Sequence, residues 1–178
     1  KTDRPVLLAL NKPRGIECTA SKQVKNNIVD FVNYPCRVYP VGRLDKDSEG
    51  LILMTNQGDL VNKMMRSGNR HEKEYLVTVD KPVNETFLKG MAAPVYLKEL
   101  DVTTRPCEVE QTGKCSFRII LTQGYNRQIR RMCATFGFKV TKLKRIRIMN
   151  IHLEGLKVGT YREVTPREMK ELLELIKD

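Results

Sequence analysis

Short apolar runs broken by turn residues set the pattern of the first third of the chain. Residues 6–10 are apolar throughout and end at Asn11-Lys12-Pro13-Arg14-Gly15, a turn signal, which predicts a strand. Asn27 suits the cap of a short helix bearing Ile28, Val29, Phe31 and Val32. Residues 37–41 and 51–55 predict strands on either side of a polar loop. Asn56-Gln57-Gly58 predicts a turn, with Asp59 as N-cap of a helix running to about Arg66.

Further along, Lys73–Val79 alternates apolar and polar side chains, the mark of a half-buried strand. More strands are expected around Val102, over 116–122 and over 139–148. Two helices have clearer signals. Over 126–136, Ile129, Met132, Cys133 and Phe136 form an apolar stripe at helical spacing, and Gly137 follows as a stop. Thr165-Pro166-Arg167-Glu168 is a capping box that opens a last helix, with Met169, Leu172, Leu173 and Ile176 facing inward. Strands outnumber helices, and many connections are too short for a helical crossover. An α+β fold with a large mixed, mostly antiparallel sheet flanked by helices is therefore expected.

The chain has 178 residues, enough for one domain or two small lobes. No apolar run approaches the roughly 18 residues of a membrane span, and the first residues lack a signal-peptide core, so a cytoplasmic protein without a membrane partner is expected. The five cysteines are scattered without a C-x-x-C pair, and His71 and His152 lie far apart. Reduced thiols and no metal site are the expectation. Charge changes the picture more. Lys and Arg exceed Asp and Glu by 32 to 21, a net +11, which suits a nucleic-acid partner.

One loop concentrates chemistry. Gly42-Arg43-Leu44-Asp45-Lys46-Asp47-Ser48-Glu49-Gly50 lies between two predicted strands and holds three carboxylates and two basic residues. Glycines at both ends permit a tight path, and Leu44 can anchor the loop while Arg43 and Asp45 project elsewhere. Composition alone favours a solvated turn in which Asp45 caps local amides.

This loop, continued by Leu51-Ile52-Leu53-Met54-Thr55-Asn56, resembles the signature of pseudouridine synthases of the RsuA type. Lys73-Glu74-Tyr75-Leu76-Val77 is similar to that family's tyrosine-bearing second motif. Gly124-Tyr125-Asn126-Arg127-Gln128-Ile129-Arg130-Arg131-Met132 is similar to its third. Order and spacing agree over nearly the whole chain. Residues 145–150 and 27–33 look closest to the branch acting on large-subunit ribosomal RNA. In relatives a basic residue often follows Gly124, where this chain has Tyr125. Relatives also usually carry an S4-type RNA-binding domain, which does not precede Lys1, so the chain reads as a catalytic part of two α+β lobes around one cleft.

The resemblance implies a pseudouridine synthase fold and a cofactor-free isomerisation of uridine in ribosomal RNA, and also in transfer RNA, by a chain that is a monomer by default. It makes Asp45 the catalytic carboxylate, Arg130 the guanidinium that keeps it ionised, and Tyr75 the ring against which a flipped uracil stacks. Arg43, Lys73, Arg127 and Arg131 are the expected RNA contacts, and Ile129 and Leu143 the apolar wall of the pocket. Arg127, Arg130 and Arg131 share the polar side of a helical wheel. A non-catalytic RNA-binding or ribosome-assembly module would have the same charge, but has no use for an acid in a basic groove. A two-carboxylate glycosidase fits poorly with a basic chain lacking tryptophan. A magnesium nuclease using Asp45, Asp47 and Glu49 would be stopped by EDTA.

Overall fold

In the computed structural model, which describes residues 4–66 and 71–177, the chain divides into two compact units. Residues 1–68 and 145–178 make the first, and residues 69–144 the second. In chain order the strands are β1 (Leu7–Lys12), β2 (Tyr39–Pro40), β3 (Glu49–Thr55), β4 (Lys73–Val79), β5 (Tyr96–Leu97), β6 (Val102–Thr103), β7 (Glu108–Gly113), β8 (Ser116–Leu121), β9 (Val140–Ile148), β10 (Ile151–His152) and β11 (Tyr161–Glu163). The helices are α1 (Ile28–Val32), α2 (Gly58–Arg66), α3 (Glu85–Ala92), α4 (Gln128–Thr135) and α5 (Pro166–Leu175). The class is α+β with mostly antiparallel pairing, as expected.

In the first unit, strands are bonded in the order β11-β1-β3, with β2 also on β3 and the last residues of β9 next to β3. β1 and β3 run antiparallel from Leu7 opposite Thr55 to Lys12 opposite Gly50. Their side chains are apolar in succession because both faces of the sheet are covered. Leu7, Ala9, Leu51 and Leu53 pack with Leu60 and Met64 of α2 and with Leu172 of α5. On the other face, Leu8, Leu10, Ile52 and Met54 pack with Ile28 and Val32 of α1 and with Leu44.

Local signals set the helix ends. The Asn27 side chain accepts from the Asp30 amide at 2.8 Å, and the Thr165–Glu168 capping box is formed in both directions. Three expectations are corrected here. β1 runs on through Asn11 and Lys12, because their polar ends find carbonyls inside the unit. α2 starts at Gly58, so Asp59 lies in its first turn rather than capping it. Leu173 of α5 is 43% exposed, since only Met169, Leu172 and Ile176 fall on the buried stripe.

The second unit has the strand order β9-β4-β8-β7. Tyr75 and Val77 of β4 lie opposite Ile119 and Phe117 of β8, and these side chains share a core with Phe87 and Met91 of α3 and Ile129, Met132 and Cys133 of α4. On the opposite face Arg118 bridges Glu74 at 3.2 Å and Glu110 at 3.4 Å. α3 was not foreseen, because Gly90 interrupts its pattern. A Cβ there would come 2.7 Å from the Phe136 ring, so the glycine makes room for an aromatic neighbour. Phe136 itself is a correction: expected on the buried stripe of α4, it is 37% exposed and lies edge-on to Phe87.

Candidate active site

The polar loop of the first unit is held at every peptide around its aspartate. Each carbonyl from residue 43 to 46 has a donor: Arg43 from Arg145 Nη1 (3.5 Å), Leu44 from the Cys18 thiol (3.3 Å), Asp45 from the Ser48 amide (3.0 Å) and Lys46 from the Gly15 amide (2.7 Å). The Leu44 amide donates to Cys18 Sγ at 3.4 Å, and the Leu44 side chain is buried as expected. With the backbone so fixed, Asp45 is half-buried and Arg43 is exposed. A carboxylate held on a rigid loop beside open surface is placed to act on a bound molecule.

The ends of the loop are set by two glycines with left-handed backbone, Gly42 (φ +78) and Gly50 (φ +112). Gly50 is also crowded. A Cβ on it would lie 2.6 Å from the Arg145 amide nitrogen and clash with the Arg145 carbonyl, so only glycine lets β3 and this residue of β9 approach. Arg145, just 4% exposed, donates from Nε to the Leu51 carbonyl at 2.8 Å.

Lys12 is wholly buried, and its ammonium donates to the carbonyls of Pro13 and Ile16, each at 2.9 Å, and of Lys46 at 3.4 Å. Burial pulls its pKa below the usual lysine value, partly offset by the nearby Cys18, Asp45 and Asp47 side chains. Burial likewise raises the Cys18 thiol, against the Leu44 amide and the Lys12 charge. Sequence reasoning missed Lys12, Cys18 and Arg145. Lys12 sits in a turn-like string, and its acceptor at Lys46 is distant in sequence.

The second unit holds the seven other expected residues, and three of them share one core. Tyr75, Ile129 and Leu143 belong to one core, with Tyr75 retaining 9% exposure. Lys73 shares Tyr75's face of β4, as the two-residue repeat requires, and is half-buried at the start of the strand. Arg130 and Arg131 are half-buried on α4. The Arg131 guanidinium is engaged locally, with the Asn126 carbonyl and side chain at 2.8 Å each and Glu99 at 3.6 Å. Arg127 departs from the helical wheel: it is the exposed N-cap residue, in left-handed conformation (φ 51). The turn into α4 is closed by Gln128, whose side chain accepts from the Tyr125 amide at 3.2 Å. Tyr125 itself is 36% exposed.

A family model described as RNA pseudouridylate synthase matches residues 6–135, which contain Asp45, Tyr75 and Arg130. The chain belongs to this family. It is 54% identical to the dual-specificity RNA pseudouridine synthase RluF of Salmonella typhi, over 99% of this chain and 60% of that protein. It is 34% identical to the ribosomal large subunit pseudouridine synthase B of Bacillus subtilis (strain 168), over 96% of this chain and 72% of that protein. A solved pseudouridylate synthase superposes with a TM-score of 0.88 at 31% identity, covering 96% of this chain and 75% of its own. The chain thus spans about 60% of the length of the RluF relatives it matches. Among the described residues, no three His, Cys, Asp or Glu side chains are grouped to hold a metal ion, and no helix is long and apolar enough to cross a membrane.

Proposed function

We propose that this chain isomerises uridine to pseudouridine in structured RNA, with Asp45 as the catalytic carboxylate. The observation that carries the reading is family membership, with 54% identity to a relative over 99% of the chain and Asp45 inside the matched residues 6–135. The names of the relatives favour large-subunit ribosomal RNA as substrate, and transfer RNA is the second substrate proposed. The net charge of +11 supports a polyanionic partner.

The reaction breaks the bond from ribose C1′ to uracil N1, turns the base, and joins C1′ to C5. The proton on C5 leaves, and N1 gains one. Atoms and electrons balance within the nucleotide, so no external oxidant, reductant or energy source is called for. What the reaction needs is a group that stabilises or traps the electron-poor fragment, and a carboxylate does either. Holding that carboxylate on a backbone with every nearby carbonyl bonded fixes its position before RNA arrives, which is where positioning contributes most.

The uridine must leave its stack to be reached. Arg43, exposed beside Asp45, is placed to hold the flipped nucleotide's phosphate. Tyr75 offers the ring face for the uracil, worth about 1–3 kcal/mol in comparable stacks. Ile129 and Leu143 wall the same core. Arg130 keeps the role of charge partner for the carboxylate, and Lys73, Arg127 and Arg131 those of phosphate contacts. The test is to incubate the chain with unmodified large-subunit ribosomal RNA and transfer RNA transcripts and map pseudouridine by carbodiimide-dependent primer-extension stops. Stops at defined uridines are expected. Tight RNA binding with no stop on either RNA would favour a non-catalytic binding module.

A further inference from the structure

The turn that leads into α4 is tied down from several directions, and it presents one exposed ring. The Tyr125 amide donates to Gln128 Oε1 at 3.2 Å, and the Tyr125 carbonyl accepts the Gln128 amide at 3.1 Å. The Asn126 carbonyl and side-chain oxygen take Arg131 Nε and Nη2 at 2.8 Å each. Ahead of them Gln123, only 9% exposed, accepts the Arg105 amide at 2.8 Å and donates from Nε2 to the Tyr125 hydroxyl at 3.4 Å. A tyrosine held at its backbone and at its hydroxyl has little freedom left to lose when a ligand arrives, yet it is 36% exposed. Gly124, beside it, has no internal reason to be glycine. Its φ is not left-handed, and among the described residues nothing but its chain neighbours comes within 4 Å of a Cβ built on it. An alanine would fit the fold, so the missing side chain leaves bare peptide next to the ring. Residues 122–131 also carry three arginines and no carboxylate.

We propose that Tyr125 and the bare peptide at Gly124 form a shelf on which an unpaired RNA base stacks, a base other than the target uridine. A flat ring anchored by its hydroxyl suits the face of any base. A glycine lets a nucleotide come close to the backbone, and the arginines suit the phosphates on either side. An acidic peptide would use the arginines but has no need of a fixed ring beside an unfilled Cβ position. Tyr75, at 9% exposure, is a closed position, whereas Tyr125 stands at the surface, where a nucleotide outside the pocket would lie. The inference rests on the RNA-binding part of the reading above and not on the chemistry assigned to Asp45. Loss of one stacked base weakens binding by roughly 5- to 150-fold, and that is the scale expected.

The experiment compares the parent chain with Tyr125→Phe, Tyr125→Leu and Gly124→Ala, using an unmodified large-subunit ribosomal RNA transcript. Dissociation constants are measured at several salt concentrations, together with melting midpoints, and ultraviolet crosslinks of the parent are mapped on both chain and RNA. Tyr125→Phe keeps the ring and should bind close to the parent. Tyr125→Leu should bind roughly 5- to 150-fold more weakly with an unchanged salt slope, because no phosphate contact is lost. Gly124→Ala should also bind more weakly, at a melting midpoint no lower than the parent's. A crosslink from Tyr125 to a nucleotide other than the converted uridine is expected. Parent-like affinity of Tyr125→Leu overturns the proposal, as does a Tyr125 crosslink to the converted uridine. So does a weaker Tyr125→Leu that melts early while Gly124→Ala binds like the parent, since the ring would then serve the fold alone. A parent that binds RNA through Tyr125 but makes no pseudouridine would instead sink the catalytic reading and leave the shelf standing. A parent that binds no RNA would overturn both.

Discussion

Gly50→Ala should damage the first unit more than any other glycine-to-alanine change in the loops around Asp45. Two costs combine. At φ +112 an alanine is held in a region that L residues rarely adopt, a strain of about 1–3 kcal/mol. Its Cβ would also press on the Arg145 backbone, at 2.6 Å from the amide nitrogen, where no side chain can swing away. Overpacking of that kind costs a further 1–3 kcal/mol or so. With about 2–6 kcal/mol lost, and about 2–4 °C per kcal/mol for a chain of this size, the melting midpoint should fall by about 4–24 °C. Two controls separate the terms. Gly15 has φ +93 but nothing within 4 Å of a Cβ, so Gly15→Ala should show the strain alone. Gly58, with ordinary φ and open space at the start of α2, should gain about 0.4–1 kcal/mol on becoming alanine. Circular-dichroism melts of the three variants give the order. If Gly50→Ala melts with or above Gly15→Ala, the close approach of Arg145 contributes nothing and the reasoning fails.

Tyr75→Phe should bind RNA like the parent and lose rate only through the hydroxyl, whereas Tyr75→Leu should also lose the stacking contribution of about 1–3 kcal/mol. Rates and affinities equal to the parent for both would remove Tyr75 from the site. A pH test addresses α5. Hydrogen bonding to Arg162, with help from Thr165, holds the Glu168 carboxyl at about 2, below its ordinary 4.5. The unfolded chain then binds the extra proton between those values, so this stabilisation is complete above about pH 4.5 and fades as pH falls toward 2. The difference in urea midpoint between the parent and Glu168→Gln should shrink over that range. A difference that stays constant down to pH 2 would contradict it.

Much of this architecture was legible from local signals. The capping box at Thr165 and the cap at Asn27 need only neighbours in sequence, and both form. The alternation of Lys73–Val79 reports a sheet with one wet face, and the Glu74–Arg118 pair lies on that face. α3 was hidden because Gly90 answers to Phe136, a residue far along the chain. The loop of Asp45 could be recognised as a motif, yet what fixes it could not. The donors to its carbonyls come from Cys18, Gly15, Ser48 and Arg145, and only the Ser48 bond is local. Lys12 was masked by its company, since Asn-Lys-Pro-Arg-Gly reads as an exposed turn until a long-range carbonyl makes burial tolerable. Arg127 left the helical wheel for a local reason: Gln128 closes the turn before the helix begins.

The central claim is that Asp45 is the carboxylate of a uridine isomerase. Tritium release from RNA labelled at uracil C5 tests it most directly, with the parent and Asp45→Asn compared at matched RNA occupancy and EDTA present. The account predicts release by the parent, none above background by Asp45→Asn, and closely similar RNA affinity for the two. Release by Asp45→Asn at the parent's rate would contradict it.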